Sequence, residues 1–389
     1  MIHLTPDRDY IVRTLADLVR INSINPSIAE NGAGEAGIAS YLVCAMTGLG
    51  VNAAVVEPQP GRATAVGTLI GVGGGRSLML NGHLDTVGVE GMTDPFSAEI
   101  KDGRLYGRGA HDMKGSLAAC LGAVKALVDA GLRLQGDIVL AAVADEEYGS
   151  LGTADLVERV EVDGAIVTEP TNLDICLAHK GYVWIEVQTH GRAAHGSRFS
   201  EGIDANMRMG RFLSELDRLE QELRARRPHP LVGPPSLHAA LIQGGSGLST
   251  YAESCTLTIE RRTVPGETEA GALAEIQALV DRLAAADPTF RATVRSCFSR
   301  DPFEVAPEAA VVGALGAAVE RVLGVRRPFV GDSPWMDSAL LAAAGIETVI
   351  FGPRGAGEHS AVEWIDLDSV VQAAEVLAHT AVGYCGLAA

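Results

Sequence analysis

Apolar and polar positions follow two periods along this chain. Apolar residues spaced three or four positions apart predict an amphipathic helix that begins near Pro6 and further helices at residues 38–49, 116–130 and 337–344. Short runs rich in β-branched residues predict strands at residues 51–56, 64–71, 77–80, 137–143, 165–168 and 348–351. The glycines at residues 73–75 predict a hairpin turn. Because helices and strands alternate, we expect an α/β fold with a mixed, mostly parallel sheet and helices on both faces.

The pattern changes in the middle of the chain. Residues 182–189 alternate strictly between apolar and polar side chains, which predicts a half-exposed antiparallel strand. Further predicted elements are a helix near 205–224, a strand at 255–261, a helix at 267–286 and a strand at 291–297. This order predicts a β-α-β-β-α-β, ferredoxin-like α+β domain inserted into the first. We expect a first domain built from residues 1–177 and 294–389, with the inserted domain at 178–293.

The composition and charge of the chain limit the classes of partner that it can be expected to bind. The 389 residues carry a formal net charge of −18 and no run of basic residues, so nucleic acid and anionic membrane are poor partners. The apolar stretch at 309–319 is shorter than the roughly 20 residues that a membrane span needs. Six cysteines without a C-x-x-C pair indicate neither a disulfide framework nor a zinc ribbon. The start of the chain (Met1-Ile2-His3) lacks a cationic flank before an apolar run, so we expect a cytoplasmic protein.

Candidate chemistry lies where predicted strands end. Three apolar runs are followed directly by His83, by Glu146 and by Glu169, and a fourth precedes His359. Side chains beyond the carboxyl ends of strands form the active site of an open α/β sheet. Imidazoles and carboxylates together are what a site for two divalent cations needs.

The segments around these positions leave alternatives open. His83 and Asp85 stand two residues apart, so both are candidate metal ligands, or Asp85 orients the His83 ring by accepting its other N–H. Asp112 lies in a glycine-rich segment and is either a bridging carboxylate or the cap of the next helix. His111 is a weaker candidate, because a carboxylate can contact two cations and an imidazole nitrogen cannot.

The pair Glu146-Glu147 can supply both a metal ligand and a separate base that activates water. The alternative interpretation of this pair is an ordinary acidic loop exposed to solvent. Glu169 is held extended by the proline that follows it. The loop at residues 352–357 contains glycines and can return His359 to the sheet edge.

Five segments occur in a fixed order: Gly-His-Leu-Asp-Thr-Val at 82–87, Gly-Arg-Gly-Ala-His-Asp-Met-Lys-Gly at 107–115, Asp-Glu-Glu at 145–147, Glu-Pro-Thr at 169–171 and Gly-Glu-His-Ser at 357–360. In these segments the chain resembles the M20 metallopeptidase family. That family includes acetylornithine deacetylase, succinyl-diaminopimelate desuccinylase, aminoacylase-1 and the dizinc glutamate carboxypeptidase. The resemblance covers nearly the whole chain.

The resemblance implies two divalent metal ions per subunit, expected to be zinc, with cobalt or manganese as alternatives. The implied ligands are His83 with Glu169 for one ion, Glu147 with His359 for the other, and Asp112 between them. Asp85 would orient His83, and Glu146 would be the general base. The resemblance also implies a cis peptide bond between Asp112 and Met113.

The inserted domain would be the family's lid and dimerisation domain, which makes a homodimer the expected assembly. His195 would stabilise the oxyanion in the partner subunit's site. Arg262 is the expected binder of a substrate carboxylate, with Arg261 as the alternative. Ser249 or Thr250 would replace an asparagine that many members carry. Gly352 is expected to line the leaving side of the site.

The leading hypothesis is therefore a dizinc amidohydrolase that removes the acyl group of an N-acyl amino acid. The runner-up is a carboxypeptidase or dipeptidase, whose substrate is a short peptide. A third hypothesis, a catalytically silent binding protein, is disfavoured because Glu146 and every expected ligand are present.

Overall fold

A computed structural model of the chain describes residues 4–30 and 32–388. Met1, Ile2 and His3, on which the expectation about targeting partly rests, lie outside the described residues. A short irregular turn, Ala110–Lys114, precedes the third helix. The helices are α1 (Arg8–Arg20), α2 (Ala36–Gly48), α3 (Gly115–Asp129), α4 (Leu151–Leu156), α5 (Ala205–Ala225), α6 (Glu269–Ala286), α7 (Ala310–Leu323), α8 (Ser338–Ala343) and α9 (Leu367–Cys385).

The strands interleave with these helices. They are β1 (Asn52–Gln59), β2 (Arg62–Leu69), β3 (Leu78–His83), β4 (Glu99–Lys101), β5 (Arg104–Tyr106), β6 (Ile138–Val143), β7 (Gly164–Val167), β8 (Ile175–His179), β9 (Gly181–His190), β10 (Ser236–Gly244), β11 (Ser254–Thr263), β12 (Arg291–Arg300), β13 (Phe303–Glu304), β14 (Phe329–Asp332), β15 (Glu347–Ile350), β16 (Gly355–Ala356) and β17 (Trp364–Asp366).

The chain divides into two compact units. Unit 1 contains Met1–Leu177, Val305–Val330 and Met336–Ala389. Unit 2 contains Ala178–Glu304 and Gly331–Trp335, so most of it is inserted between two parts of unit 1.

A mixed β-sheet forms the centre of unit 1, in the order β1-β2-β6-β3-β7-β15-β8. The strands β6, β3, β7 and β15 run parallel, whereas β1, β2 and β8 pair antiparallel with their neighbours. The predicted mixed α/β fold is confirmed, although the sheet is parallel only at its centre. Every residue of β3, β6 and β7 is buried. Because successive side chains point to opposite faces, both faces of this region are covered.

The glycine run at residues 73–75 is not the predicted hairpin turn. It connects β2 to β3, but these strands are not neighbours, because β6 lies between them in the sheet. The hairpin is formed by β1 and β2, whose pairing closes between Gln59 and Arg62. Gly61 in that turn has a φ of 79°, a left-handed conformation that favours glycine.

In helix α1 the capping residue and the buried side chains both agree with the amphipathic helix that the sequence predicts. The Asp7 side chain accepts the main-chain N–H of Tyr10 at 3.0 Å and caps the first turn. Ile11, Leu15 and Val19 recur at helical spacing and are fully buried. Helix α1 packs on α3, and α3 packs on α9.

Unit 2 is an antiparallel sheet in the order β10-β11-β9-β12, accompanied by two long helices. Its chain order, β9-α5-β10-β11-α6-β12, is that of a β-α-β-β-α-β unit. Val183, Ile185 and Val187 of β9 share a buried core with Phe212 of α5 and Ile276 of α6. The sheet therefore buries one face against the helices.

Strand β10 is missing from the sequence-based prediction. It contains the sequence Ala-Ala-Leu-Ile, which does not alternate, and its pairing with β11 shifts register between Ala239 and Leu241. A bulge of this kind inserts an extra residue and interrupts the period of two on which strand prediction relies.

All six cysteines are free thiols, in agreement with their scattered spacing. Burial raises the pKa of Cys120 and Cys385 to about 12, so both behave as small apolar side chains. Among the described residues, no helix combines the length and the apolar character needed to cross a membrane.

Candidate metal centre

Three neighbouring strands of unit 1 deliver side chains to one edge of the sheet. Strands β6, β3 and β7 are parallel, so their carboxyl ends meet. His83 is the last residue of β3. Glu146 and Glu147 follow β6, and Glu169 follows β7. The fold thus gathers four candidate side chains at the edge where parallel sheets bind their ligands.

Asp112 and His359 reach the same place from irregular segments. Asp112 lies in the turn before α3, and the peptide bond between Asp112 and Met113 is cis. His359 lies in the loop between β16 and β17 and has a φ of 56°. Both side chains contact residues at the strand ends.

Asp112 stands between two imidazoles. His83 Nε2 lies 2.9 Å from Asp112 Oδ1 and 3.7 Å from Glu169 Oε1. His359 Nε2 lies 3.4 Å from Asp112 Oδ2 and 3.0 Å from Glu147 Oε2. Each oxygen of Asp112 therefore faces a different histidine, which is the arrangement expected of a carboxylate that contacts two cations.

Glu146 belongs to the same cluster. Ligand atoms of His83, Glu146 and Glu169 lie within 4.8 Å of one another, and so do those of His83, Asp112 and Glu147. Geometry alone therefore allows Glu146 to be either a ligand or a base, and a metal count in a variant separates the two roles.

The buried carboxylates of the cluster raise one another's proton affinity. Burial and the charge of Glu169 raise the pKa of Glu146 well above its ordinary value. Burial and the charge of Asp112 raise the pKa of Glu147. Burial would also raise the pKa of Asp112, but hydrogen bonds from the two histidines outweigh it and hold that pKa below its usual range. The cluster thus holds more negative charge than its histidines neutralise.

The carboxylates act in turn on the imidazoles. Burial lowers the pKa of His83, but the charges of Glu169 and Asp112 outweigh it and raise that pKa well above its ordinary value. Hydrogen bonds to Asp112 and Glu147 raise the pKa of His359 to about 10. Excess negative charge around two imidazoles is the environment that attracts divalent cations, and the donor set fits two of them.

Asp85 differs from its expected role. His83 Nδ1 hydrogen-bonds with the main-chain carbonyl oxygen of Asp85 at 2.8 Å, whereas the nearest carboxylate oxygen is 3.9 Å away. The carboxylate accepts instead the main-chain N–H groups of Glu146 at 3.1 Å and Glu147 at 3.2 Å. A fully buried carboxylate takes the donors within its reach, and here these belong to the loop after β6. The backbone of Asp85 orients His83, while its side chain holds the Glu-Glu pair.

Glu363 has no role in the sequence-based prediction, yet it holds the turn that carries Asp112. Its Oε1 accepts the N–H groups of His111 at 2.9 Å and Asp112 at 3.1 Å. Its Oε2 accepts the N–H of Gly109 at 3.0 Å and the Arg108 guanidinium at 2.7 Å. The only sequence signal for this role is the position of Glu363 just after the last motif.

Three predicted residues of unit 2 lie side by side. His195 forms a β-bridge with Thr250. The main-chain N–H of the next residue, Gly196, donates to the carbonyl oxygen of Ser249 at 2.8 Å. All three predicted side chains are exposed. His195 Nδ1 lies 2.8 Å from Ser197 Oγ. The roles of His195, Ser249 and Thr250 stay predictions.

The two neighbouring arginines of β11 have different surroundings. Arg261 is buried and donates to Glu267 at 2.9 Å and to Glu275 at 3.1 Å. Arg262 is partly exposed and donates to Glu260 at 2.7 Å. Of the two, Arg262 is the one that a carboxylate can approach from solvent, and Arg261 is a structural ion-pair residue.

Gly352 packs inside unit 1 beside the segment that carries Glu169, and its expected place on the leaving side of the site stays a prediction. It is buried, its N–H donates to Thr171 Oγ1 at 3.0 Å, and its carbonyl oxygen accepts the N–H of Leu173 at 2.9 Å. Both of its main-chain polar groups are therefore satisfied within the protein. A Cβ here would lie 2.3 Å from the carbonyl oxygen of Glu169, so the glycine allows close approach to the segment that carries this candidate ligand.

Comparison with known families settles the class. A family model described as Peptidase family M20/M25/M40 matches residues 79–382, an interval that contains every candidate ligand. The chain belongs to this family. The predicted resemblance to M20 proteins is confirmed, and this M20 protein is a hydrolase that acts on amide bonds.

Several relatives cover most of this M20 hydrolase. N-formyl-4-amino-5-aminomethyl-2-methylpyrimidine deformylase of Bacillus subtilis (strain 168) is 30% identical over 383 residues, which are 90% of this chain and 89% of the relative. Acetylornithine deacetylase of Myxococcus xanthus is 32% identical over 327 residues, 81% of this chain and 82% of the relative. The solved structure of the YXEP protein of Bacillus subtilis, described as a dinuclear metal binding peptidase, has a TM-score of 0.75 at 14% identity, over 96% of this chain and 97% of that chain. At that identity the likeness shows the fold alone.

Proposed function

We propose that this M20 hydrolase is a two-metal deacylase that cleaves the amide bond of an N-acyl amino acid. The observation that carries the proposal is the position of Asp112, whose Oδ1 faces His83 while its Oδ2 faces His359. A shared carboxylate between two imidazoles, with Glu146 beside it, supplies both a dinuclear site and a proton acceptor.

Five side chains would hold the ions. His83 and Glu169 would hold one. Glu147 and His359 would hold the other, and Asp112 would contact both. When bound, such ions polarise the amide carbonyl and lower the pKa of water toward about 7. We infer zinc, with cobalt or manganese as alternatives, because imidazole and carboxylate donors suit all three. The M20 neighbour described as dinuclear supports two ions.

Glu146 would move the protons of the reaction. It would take a proton from the attacking water and deliver it to the departing amine nitrogen. Burial and neighbouring carboxylates raise the pKa of Glu146, which favours a group that must both accept and return a proton. The main-chain N–H of Glu146 donates to the carboxylate of Asp85. This hydrogen bond fixes the backbone from which the Glu146 side chain extends.

We infer a small acyl group. The two curated relatives are named for removing a formyl group and an acetyl group, which contain one and two carbons. Arg262, partly exposed on unit 2, would bind the substrate carboxylate by a charge-assisted contact. Ser249 or Thr250 would contribute a hydroxyl to the same substrate.

We infer further that the protein is a cytoplasmic homodimer in which unit 2 acts as lid and dimerisation domain. His195 would stabilise the oxyanion of the reaction in the partner subunit's site. Its exposure supports this role, because Ser197 engages only Nδ1 and leaves Nε2 for a substrate oxygen.

The second candidate function is a carboxypeptidase or dipeptidase, which the M20 neighbour described as a peptidase favours. The test is hydrolysis of N-acetyl, N-formyl and N-succinyl amino acids beside dipeptides, with added Zn²⁺ or Co²⁺. Turnover of the acyl compounds in preference to the dipeptides supports the deacylase. The reverse preference establishes the peptidase.

A further inference from the structure

A buried polar network lies directly behind the Glu146-Glu147 pair in unit 1. We call its four residues the support network: Asn25, Arg62, Asp85 and Asp145. Their exposed fractions are 0%, 8%, 0% and 1%. Side chains so deeply buried need hydrogen-bond partners within the protein, and the contacts that they make reveal what the network holds.

Asn25 joins two aspartates. Its amide nitrogen donates to Asp85 Oδ2 at 2.8 Å and to Asp145 Oδ1 at 3.0 Å. Its amide oxygen accepts from Arg62 at 3.1 Å and from the N–H of Ser27 at 2.8 Å. The orientation of the amide is thus fixed, since carboxylates can only accept and a guanidinium can only donate.

Arg62 forms an ion pair with Asp145, the first residue of the loop that carries Glu146 and Glu147. Its guanidinium lies 2.7 Å from Asp145 Oδ1 and 2.6 Å from Glu35 Oε1. Glu35 is fully buried and, within the described part of the chain, hydrogen-bonds with Arg62 but with neither Asp85 nor Asp145. One guanidinium nitrogen of Arg62, Nη2, thus contacts Glu35, Asn25 and Asp145 together, and Nε contacts Glu35 as well.

Asp145 turns the chain at the end of β6. Its φ is 71°, a left-handed conformation that residues other than glycine seldom adopt. Its carbonyl oxygen accepts the N–H of Gly149 at 2.9 Å, which closes the loop. The next two N–H groups, of Glu146 and Glu147, then meet the carboxylate of Asp85. The support network therefore holds the loop at Asp145 and at the main chain of Glu146 and Glu147.

We propose that Asn25 and Arg62 are positioning residues for Glu146. They hold Asp145 in its left-handed turn and Asp85 against the main chain of the glutamate pair, and so aim the carboxylate that moves protons. The proposal deepens the proposed function and rests on it for the role of Glu146. It assigns a function to two residues that lie 120 and 83 positions from Asp145 in the sequence.

The test compares Asn25→Ala with Glu35→Gln. The first removes both amide donors from the aspartates. The second removes the charge of Glu35, keeps a side-chain oxygen that can accept from Arg62, and alters no group that hydrogen-bonds with Asp85 or Asp145. For Asn25→Ala we expect kcat to fall on the order of 10- to 100-fold, as a misplaced catalytic group does, with KM within about twofold and two metal ions still bound. Glu35→Gln is expected to lower the melting temperature but to keep kcat within about twofold.

An unchanged kcat in Asn25→Ala, or a fall in kcat that follows loss of metal, overturns the proposal. If Asn25→Ala does not fold, Arg62→Lys is the second variant, because it keeps the charge but its three donors cannot serve Ser27, Asn25, Asp145 and Glu35 together. A kcat equal to that of the unaltered protein in this variant also counts against the proposal.

Hydrogen–deuterium exchange separates this proposal from the proposed function. Peptides covering residues 144–150 are expected to exchange faster in Asn25→Ala than in Glu35→Gln, whether or not a substrate is known. Equal exchange in the two variants overturns positioning. Faster exchange in a protein that hydrolyses no amide supports positioning while the proposed function fails.

Discussion

Glu363 Oε1 accepts the main-chain N–H of Asp112 at 3.1 Å, and this bond ties the candidate bridging ligand to a buried anion. The same carboxylate accepts three other donors from the turn before α3 or next to it. Asp112 is thus held by its backbone, which leaves both of its side-chain oxygens free to face His83 and His359. Contacts around metal ligands fix ligand orientation and tune affinity.

Replacing Glu363 by glutamine should weaken metal binding. The amide nitrogen of glutamine presents hydrogens to N–H groups that need an acceptor, so the turn around Asp112 loosens. We expect the affinity for Zn²⁺ to fall about 10- to 100-fold, measured by competition with a chromophoric chelator. Glu99→Gln, at an exposed position of β4, is the control and should bind as the unaltered protein does. Equal affinities of the two variants would argue against this role.

Replacing Glu146 by glutamine should separate chemistry from metal binding. The variant loses the proton acceptor but keeps the five predicted ligands, so two metal ions should remain bound. We expect kcat to fall about 10²- to 10⁴-fold, the usual contribution of general acid–base catalysis. Metal analysis of the purified variant checks this. Fewer than two ions per chain would identify Glu146 as a ligand, as its distance from His83 and Glu169 permits.

Replacing His195 by alanine should lower kcat and leave the proposed homodimer intact. Removal of one oxyanion donor costs about 10²- to 10³-fold in kcat. Steady-state kinetics and sedimentation measure the two properties. His190→Ala is the control, because this imidazole contacts Thr293 in the same unit and has no predicted role. An unchanged kcat in His195→Ala removes the oxyanion role.

The two arginines of β11 should respond differently to the same change. Arg262→Met should raise KM for substrates with a carboxylate about 10- to 100-fold, because a charge-assisted hydrogen bond is lost. Arg261→Met should instead lower the free energy of unfolding by about 2 kcal/mol, because Glu267 and Glu275 lose the charge-assisted hydrogen bonds of a buried partner and keep Arg226. Kinetics and chemical denaturation of both variants check this. Similar KM values for the two variants would contradict the assignment.

The sequence predicts the parts of the site that depend on local patterns. His83, Glu146 and Glu169 stand directly after apolar runs, and the runs became neighbouring parallel strands. Local patterns do not predict which strands pair when the partner strand comes from a distant part of the chain. The glycines at 73–75 mark a bend of the chain, but β6 enters the sheet between the strands that they connect.

The supporting residues are invisible to such patterns. Asn25 contacts Asp145 across 120 positions, and Glu363 contacts Asp112 across 251. No spacing rule relates residues so far apart, and a lone asparagine or arginine in an ordinary segment predicts no partner. The carboxylate of Asp85 illustrates the same limit, since its motif suggests His83 as partner and the fold supplies the N–H groups of Glu146 and Glu147.

Metal removal and return tests the central claim, that two ions held around Asp112 are required for hydrolysis of an N-acyl amino acid. Protein treated with a chelator should hydrolyse none of the N-acetyl and N-formyl amino acids, and titration with Zn²⁺ should restore turnover until two ions per chain are bound. Two bound ions with no turnover of any acyl compound or dipeptide, or full activity in the chelated protein, would contradict the account.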